Sequence, residues 1–318
     1  MYQFAYQANR YVEDAINLAV HSTLQHLESS NTYARMLFFD FSSAFNTIHP
    51  PILFSRLQAM NIDIALCHWI LDFLRNRTQT VKVNNATSCP LTLNTGAPQG
   101  CVLSPLLFSI YTNDLRSHHP SVKMLKYADD TTIIGLIRDE DESQYIKEVN
   151  WAVDWCRKNK IHLNASKTKE IVVDLRRRPN TKALVNIFDQ PITLTDSFTF
   201  LGSYISQHLK WDINTSHLIK KAQQRLYFLR QLKKFHVNKH LLVLFYKAII
   251  ESIITASITV WYGSSDSRTK MKLERVVTKA SNIIGCDLPT VLSLYAERSL
   301  NRAKNIIRDS SHPSHDFF

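Results

Sequence analysis

The chain has 318 residues, and 45% of them are hydrophobic, enough for a sizeable core in one or two domains. Its formal charge of +11 is uneven: residues 1–209 carry 20 Lys/Arg against 19 Asp/Glu, and residues 210–318 carry 18 against 8. The C-terminal third alone is therefore basic, as a polyanion-binding surface would be. Five cysteines (67, 89, 101, 156 and 286) show no CxxC spacing and an odd count, which suggests neither a zinc site nor a disulfide framework and fits reduced, intracellular thiols. The first residues show neither a basic n-region nor an apolar signal run.

In chain order, the opening Tyr2-Gln3-Phe4-Ala5-Tyr6 has no cap or turn ahead of it, as expected of the interior of something longer. Apolar residues at helical spacing predict a helix over 12–27. A continuous apolar run from Ala34 to Phe41, carrying Asp40 near its end, predicts a central strand covered on both sides. Pro50-Pro51 opens a short helix to Ala59, and a second helix runs from Asp63 to Arg75. Segments 78–83 and 91–94 alternate around Asn84-Asn85, a hairpin pattern. After the loop Gly96-Ala97-Pro98-Gln99-Gly100, Ser104 and Pro105 read as N-cap and first residue of a helix that buries Leu106, Leu107, Ile110 and Tyr111. Val122–Leu125 and Thr131–Ile134 read as two strands joined at Tyr127-Ala128-Asp129-Asp130.

Asp139–Glu142 reads as a solvated acidic loop, followed by a helix over 143–158 with Val149, Ala152, Val153 and Cys156 inward. A strand over 170–175 ends at Arg176-Arg177-Arg178-Pro179, and two more are expected near 185–188 and 198–205. From His217 onward the pattern is helical. Leu218, Ala222, Leu226 and Leu229 make one stripe, and Lys220, Lys221, Arg225, Lys233 and Lys234 supply charge. Further helices are expected over 241–260 and 271–284. The stretch 241–262 is interrupted by Lys247 and Glu251, so it reads as a buried helix rather than a membrane span. The end, 309–318, is polar with no closing element.

The chemistry rests on three carboxylates. Asp40, ending a buried strand, requires a partner or a metal. Asp129 and Asp130, adjacent in a turn, repel each other unless a cation intervenes. If the two elements are sheet neighbours, the three meet at one edge. Such hard oxygen ligands suit Mg²⁺, which retains waters and picks up substrate phosphates. Two ions about 4 Å apart clamp the attacking and leaving oxygens of an in-line phosphoryl displacement.

Five segments in order now carry a family resemblance. Phe38-Phe39-Asp40-Phe41-Ser42-Ser43-Ala44-Phe45 is similar to the first catalytic motif of the reverse transcriptases of LINE-type (non-LTR) retrotransposons. Gly96-Ala97-Pro98-Gln99-Gly100-Cys101-Val102-Leu103-Ser104-Pro105-Leu106 resembles the second motif and Tyr127-Ala128-Asp129-Asp130 the third. Leu163-Asn164-Ala165-Ser166-Lys167-Thr168-Lys169 resembles the fourth, and Phe200-Leu201-Gly202 the fifth, the primer grip. The resemblance covers roughly residues 1–285. It implies an α+β fold: a palm with an antiparallel sheet backed by helices, then an all-helical thumb and tail. The expected divisions are a fingers remnant (1–30), the palm (31–209), the thumb (210–285) and the tail (286–318).

The resemblance also implies roles. Asp40 and Asp129 would be the principal metal ligands and Asp130 the supporting one, for two Mg²⁺ ions or Mn²⁺ in their place. The backbone at Phe41 would line the triphosphate site, and Phe45 would be the steric gate under the sugar, or else ordinary core. Gln99 would contact the incoming nucleotide, and Gly100 with Gly96 would let the backbone approach the template–primer. Lys167 or Lys169 would be the general acid for pyrophosphate, or a solvated lysine. Leu201 and Gly202 would support the primer end, Gly202 alternatively being a strand bulge. The basic helix with Lys220, Lys221, Arg225, Lys233 and Lys234 would follow the phosphates of an RNA–DNA hybrid.

The implied partners are an RNA template, a DNA primer and deoxynucleoside triphosphates, with no membrane. The implied location is intracellular, the nucleus before the cytoplasm. Asn46 stands where the family commonly has Asp. The family's basic fingers residues, endonuclease and zinc knuckle are not in this stretch, so weak or no activity is expected of this chain alone. The alternative is a truncated or domesticated protein that binds nucleic acid or a partner without polymerising. An RNA-templated RNA polymerase is disfavoured by Phe45.

Overall fold

A computed structural model describes residues 2–178 and 180–317; Met1, Phe318 and Pro179, where the arginine run was expected to end a strand, lie outside the described residues. The chain forms two units, one of Met1–Ala8 with Gln25–Leu194 and one of Asn9–Leu24 with Thr195–Phe318. This division differs from the one expected from the sequence: the seam follows Leu194, and most of the first helix is counted with the C-terminal unit.

The elements begin with β1 (Tyr2–Gln3), α1 (Val12–Leu27), β2 (Thr32–Phe39), α2 (Pro50–Ala59) and α3 (Ile64–Leu74). A ribbon follows, in which β3 (Arg77–Gln79) pairs with β6 (Leu91–Leu93) and β4 (Lys82–Val83) with β5 (Ala86–Thr87) around Asn84-Asn85. Then come α4 (Leu103–Tyr111), β7 (Val122–Tyr127), β8 (Asp130–Arg138), α5 (Ser143–Lys158) and β9 (Lys169–Val173). The first unit closes with the small pair β10 (Asn186–Ile187) and β11 (Gln190–Pro191), and with β12 (Thr193–Leu194).

One six-stranded sheet, in the order β1-β7-β8-β2-β9-β12, organises this unit. Its central pairs are antiparallel, but the edge strands β1 and β12 run parallel to their neighbours. The expected antiparallel sheet backed by helices is present at the centre, and the two short edge strands make the whole sheet mixed. All eight residues of β2 are buried, as a strand covered on both faces must be. Tyr33, Leu37 and Phe39 share a core with Leu57, Phe108 and Val149 of α2, α4 and α5.

On that same helical face Arg35 is wholly buried. Its guanidinium donates to both oxygens of Glu170 (2.8 and 2.7 Å) and to Glu142 (2.7 Å), and Tyr145 of α5 donates to Glu170 (2.5 Å). The Tyr145 ring lies on Gly135 of β8: a Cβ there would come 2.5 Å from the ring, so only glycine admits the helix this close.

Several expectations are corrected. Ser104 is not the N-cap of α4: Val102 is, and the Ser104 hydroxyl donates back to Pro98 O at 2.5 Å. Leu106 is exposed, and Phe108 takes its place in the core. The acidic loop is not simply solvated. Glu140 pairs with Arg176 and Lys182, whose hydrogen bonds hold its carboxyl down at about 2, and Glu142 accepts from Tyr33 and Arg35.

In the second unit, 198–205 is a hairpin, β13 (Ser197–Phe200) with β14 (Ser203–Ser206), not one strand. Helix α6 (Asp212–Lys234) buries Leu218, Ala222, Leu226 and Leu229 as expected and packs against α10 (Ser267–Ile284). The expected helix over 241–260 is broken into α7 (Lys239–Phe245), a π-helical stretch Tyr246–Glu251, α8 (Ser252–Ile254) and α9 (Ile258–Trp261). It is also less buried than expected. The run Lys239–Trp261 is long and apolar enough to cross a membrane by length and composition, and only 33% of its most apolar window is buried. Helix α11 (Val291–Arg308) follows. Residues 309–317 are tied in rather than loose: Asp309 pairs with Arg10 at 2.6 Å, and His312 approaches Asp14 of α1 at 3.4 Å.

Candidate active site

Strand register sets Asp40 beside Asp130. Phe39 pairs with Thr131 and Phe38 with Thr132, while Tyr127 pairs with Asp130 across the hairpin. Asp40 therefore leaves β2 beside the first residue of β8. Strand alternation puts Asp40 with Phe38, and Asp130 with Thr132, on the face opposite the helical core. Asp129 sits in the turn itself, after Ala128 at φ 56°.

Asp40 is held at its backbone by the neighbouring loop. Its N–H donates to Thr168 Oγ1 (3.3 Å), and its carbonyl accepts from Asn164 N (2.8 Å). Crowding of the Asp130 carboxyl at the strand ends, then the charges of Asp129 and Asp40, push it up to about 6, although the residue's surface stays open to solvent. Among the described residues, no three His, Cys, Asp or Glu side chains form a ready metal cluster. The arrangement still fits a hard cation. The three groups are hard oxygen ligands close enough in charge that, after burial, Asp129 and Asp40 both help to raise Asp130.

The other expected residues fall in two places. Phe41 is buried, forms a bridge with Leu163, and has its ring 6.4 Å from Phe39. Phe45, half-buried on the 3₁₀ turn Ala44–Thr47, packs its ring 5.1 Å from Phe108 against the core. The loop of Gln99 and Gly100 is pinned to that turn, with Gly96 N donating to Ile48 O (2.7 Å), Ala97 N to Phe45 O (2.9 Å) and Gln99 Nε2 to Asn46 Oδ1 (3.4 Å).

Lys167 is exposed on the loop after Asn164. Lys169 begins β9 opposite Phe38, and so lies on the carboxylate face. Leu201 and Gly202 belong to the second unit, where both take positive φ (47° and 82°) in the β13–β14 turn, so Gly202 is a turn residue and not a bulge. Lys220, Lys221, Arg225, Lys233 and Lys234 are all exposed on α6.

Sequence reasoning missed three features. Tyr6 stands close enough to the carboxylate turn that its hydroxyl is raised by partial burial, then by Asp129 and Tyr127. The parallel pairing of β1 with β7 carries it there, and two-residue strands leave no periodicity to read. Lys126 is 2% exposed and donates to Thr112 O at 2.6 Å, at the C-cap of α4. Tyr227 and Phe228 are exposed among the basic residues of α6, and Phe235 is exposed at its C-cap. Phe228 and Phe235 border a cavity of about 700 Å³ shared with Phe245, Ile249 and Ile253. Aromatic residues spaced among lysines were the available signal.

Carboxylates at the joined ends of antiparallel strands, with a glycine-bearing loop pinned alongside, define a polymerase-type palm. The family described as reverse transcriptase (RNA-dependent DNA polymerase) matches residues 1–205. The chain belongs to this family. It is 24% identical over 298 residues to the probable RNA-directed DNA polymerase from transposon X-element of Drosophila melanogaster, covering 90% of this chain and 32% of that protein. It is 23% identical over 231 residues to the RNA-directed DNA polymerase from mobile element jockey of the same organism, covering 68% of this chain and 24% of that one. The chain thus spans about a third or less of these relatives.

A second family, described as alkylated DNA repair protein alkB homolog 8, N-terminal, matches residues 211–252. Among solved structures, telomerase from Candida tropicalis in complex with a TWJ fragment of telomeric RNA has a TM-score of 0.47 at 14% identity, covering 94% of this chain and 50% of that one. The corresponding Candida albicans telomerase has a TM-score of 0.47 at 13% identity, covering 98% and 54%.

Proposed function

We infer that this chain is the catalytic portion of an RNA-directed DNA polymerase of a non-LTR retrotransposon, extending a primer 3′-hydroxyl with deoxynucleotides along an RNA template. The observation that supports the reading is the register that sets Asp40 beside Asp130, with the charges of both Asp129 and Asp40 felt at Asp130, in a chain of this family. Asp40 and Asp129 would hold two Mg²⁺ ions, or Mn²⁺ in their place, with Asp130 supporting. Bound there, the cations would supply Lewis acidity toward the 3′-hydroxyl and neutralise charge on the departing pyrophosphate.

The chain's own groups would do the rest. The Phe45 ring, fixed by Phe108, would close the space beneath the sugar at the 2′ position. Gln99, steadied by Asn46, would meet the incoming nucleotide, with Gly100 and the backbone at Phe41 flanking it. Position favours Lys169 over Lys167 as the donor of a proton to pyrophosphate, because Lys169 shares the sheet face of Asp40. Leu201 and Gly202 would support the primer end. The exposed lysines and Arg225 of α6 would follow hybrid phosphates without reading sequence, an interaction weakened by salt.

Primer extension on poly(rA)/oligo(dT) with dTTP and Mg²⁺ tests this. The expected result is weak incorporation that EDTA abolishes and that Asp129→Ala lacks. Hybrid binding with no incorporation above the Asp129→Ala background would favour the truncated, non-polymerising alternative over this reading.

A further inference from the structure

Between Asp114 and Asp129 the sequence carries Arg116, His118, His119, Lys123 and Lys126 and no acidic residue, inside a region of nearly balanced charge. The first four border one cavity of about 480 Å³ at the start of β7. At about 3.3 Å per residue, that is roughly 17 Å along the strand from Tyr127, at the end away from the carboxylates. The cavity is therefore separate from the candidate active site.

The walls of the cavity differ in chemistry. One is cationic, with Arg116 and His118 exposed and His119 and Lys123 half-buried. The rest of the lining includes Tyr2, half-buried at the edge of the sheet beside β7, with Val122 and Met124.

The histidines are positioned rather than loose. Glu148, itself buried, accepts from His118 N (2.9 Å) and lies 3.4 Å from its Nδ1, while Trp151 meets the same ring edge-on at 4.3 Å. His119 Nδ1 accepts from Ser121 N (3.2 Å), which leaves its proton on Nε2 as a donor. Two nearby carboxylates are already engaged, Glu148 by His118 and Asp114 by Arg56.

We propose that this cavity is a second nucleotide-binding site, which takes a phosphate on Arg116, His118, His119 and Lys123 and the attached base against Tyr2. A guanidinium fork and imidazole donors match phosphate oxygens. A tyrosine face accepts any base by stacking. The volume falls within the range of about 300–1,000 Å³ typical of small-ligand pockets. The ligand is a nucleoside monophosphate unit, either free or within an RNA strand. Binding there is independent of polymerase activity.

The test is calorimetric titration in EDTA on protein carrying Asp40→Asn and Asp129→Asn, so that a failure of the catalytic reading leaves it standing. AMP, adenosine and a short oligo(rA) are the probes. AMP should bind, and adenosine should bind at least about tenfold more weakly. Arg116→Ala with His118→Ala, both exposed positions, should weaken AMP by at least about tenfold with an unchanged circular dichroism spectrum. If only oligo(rA) binds, and the double variant weakens it, the phosphate comes from a strand. Adenosine binding as tightly as AMP, or a double variant that binds both phosphate-bearing probes like its parent, overturns the proposal, as does the absence of any binding.

Discussion

Glu170 of β9 meets Arg35 of β2 through two hydrogen bonds of 2.8 and 2.7 Å, with both side chains fully shielded from solvent. Removing Glu170 leaves the buried Arg35 guanidinium with Glu142 as its remaining carboxylate, and breaking a buried pair of this kind costs about 3–5 kcal/mol. Glu170→Ala should lower unfolding stability in urea by that order. Arg35→Met added to Glu170→Ala should recover part of the loss. A single Glu170→Ala within about 0.5 kcal/mol of the parent would show that the pair contributes nothing.

Gly96 fixes the loop that carries Gln99. It takes φ +78°, and a Cβ there would lie 2.8 Å from Asn46 Cα. Gly96→Ala should therefore destabilise the protein by about 1–3 kcal/mol. It should also weaken dTTP binding, since the loop must move off the turn that orients Gln99. Unchanged denaturation and unchanged dTTP affinity would contradict the close packing.

Lys126 predicts a pH dependence. Burial, opposed by Asp114 and assisted by Arg56, pushes its ammonium down to about 7 from the ordinary 10.5. Between those values the unfolded chain binds a proton that the folded chain does not, so folding stability rises with pH across that window. Below about 7 both states are charged and the penalty is complete; above 10.5 both are neutral and it vanishes. The melting temperature of the parent, relative to Lys126→Met, should climb from pH 7 to pH 10. A constant difference would mean that Lys126 titrates normally.

The sequence carried the local chemistry better than the long-range assembly. The apolar run before Asp40 and the paired strands around Asp129 were legible because alternation and burial follow directly from composition, and the register of Phe39 with Thr131 then set Asp40 beside Asp130. The seam after Leu194, the parallel edge strands and the π-helical break at Tyr246–Glu251 were not legible. A two-residue strand has no period, and a π-helical turn keeps the same apolar composition as the α-helix it interrupts. The acidic run at Asp139–Glu142 misled for a related reason. Glu140 and Glu142 find Arg176, Lys182 and Arg35, which are distant in sequence.

The basic face of α6 predicts salt-sensitive, sequence-independent hybrid binding. Replacing Lys220 and Lys221 by Ala should weaken RNA–DNA hybrid affinity similarly for different sequences. It should also lower the slope of log affinity against log salt by about one for each phosphate no longer neutralised. Filter binding at several salt concentrations would read this. Sequence-selective weakening, or an unchanged slope, would remove α6 from the nucleic-acid interface.

The central claim is that Asp40, Asp129 and Asp130 jointly bind divalent cations, and a Mn²⁺ titration followed by electron paramagnetic resonance, with dTTP present, tests it most directly. The parent protein should withdraw Mn²⁺ from the free pool beyond what dTTP alone takes up, and Asp40→Asn and Asp129→Asn should each abolish that excess. Uptake identical in the parent and both variants would contradict the account.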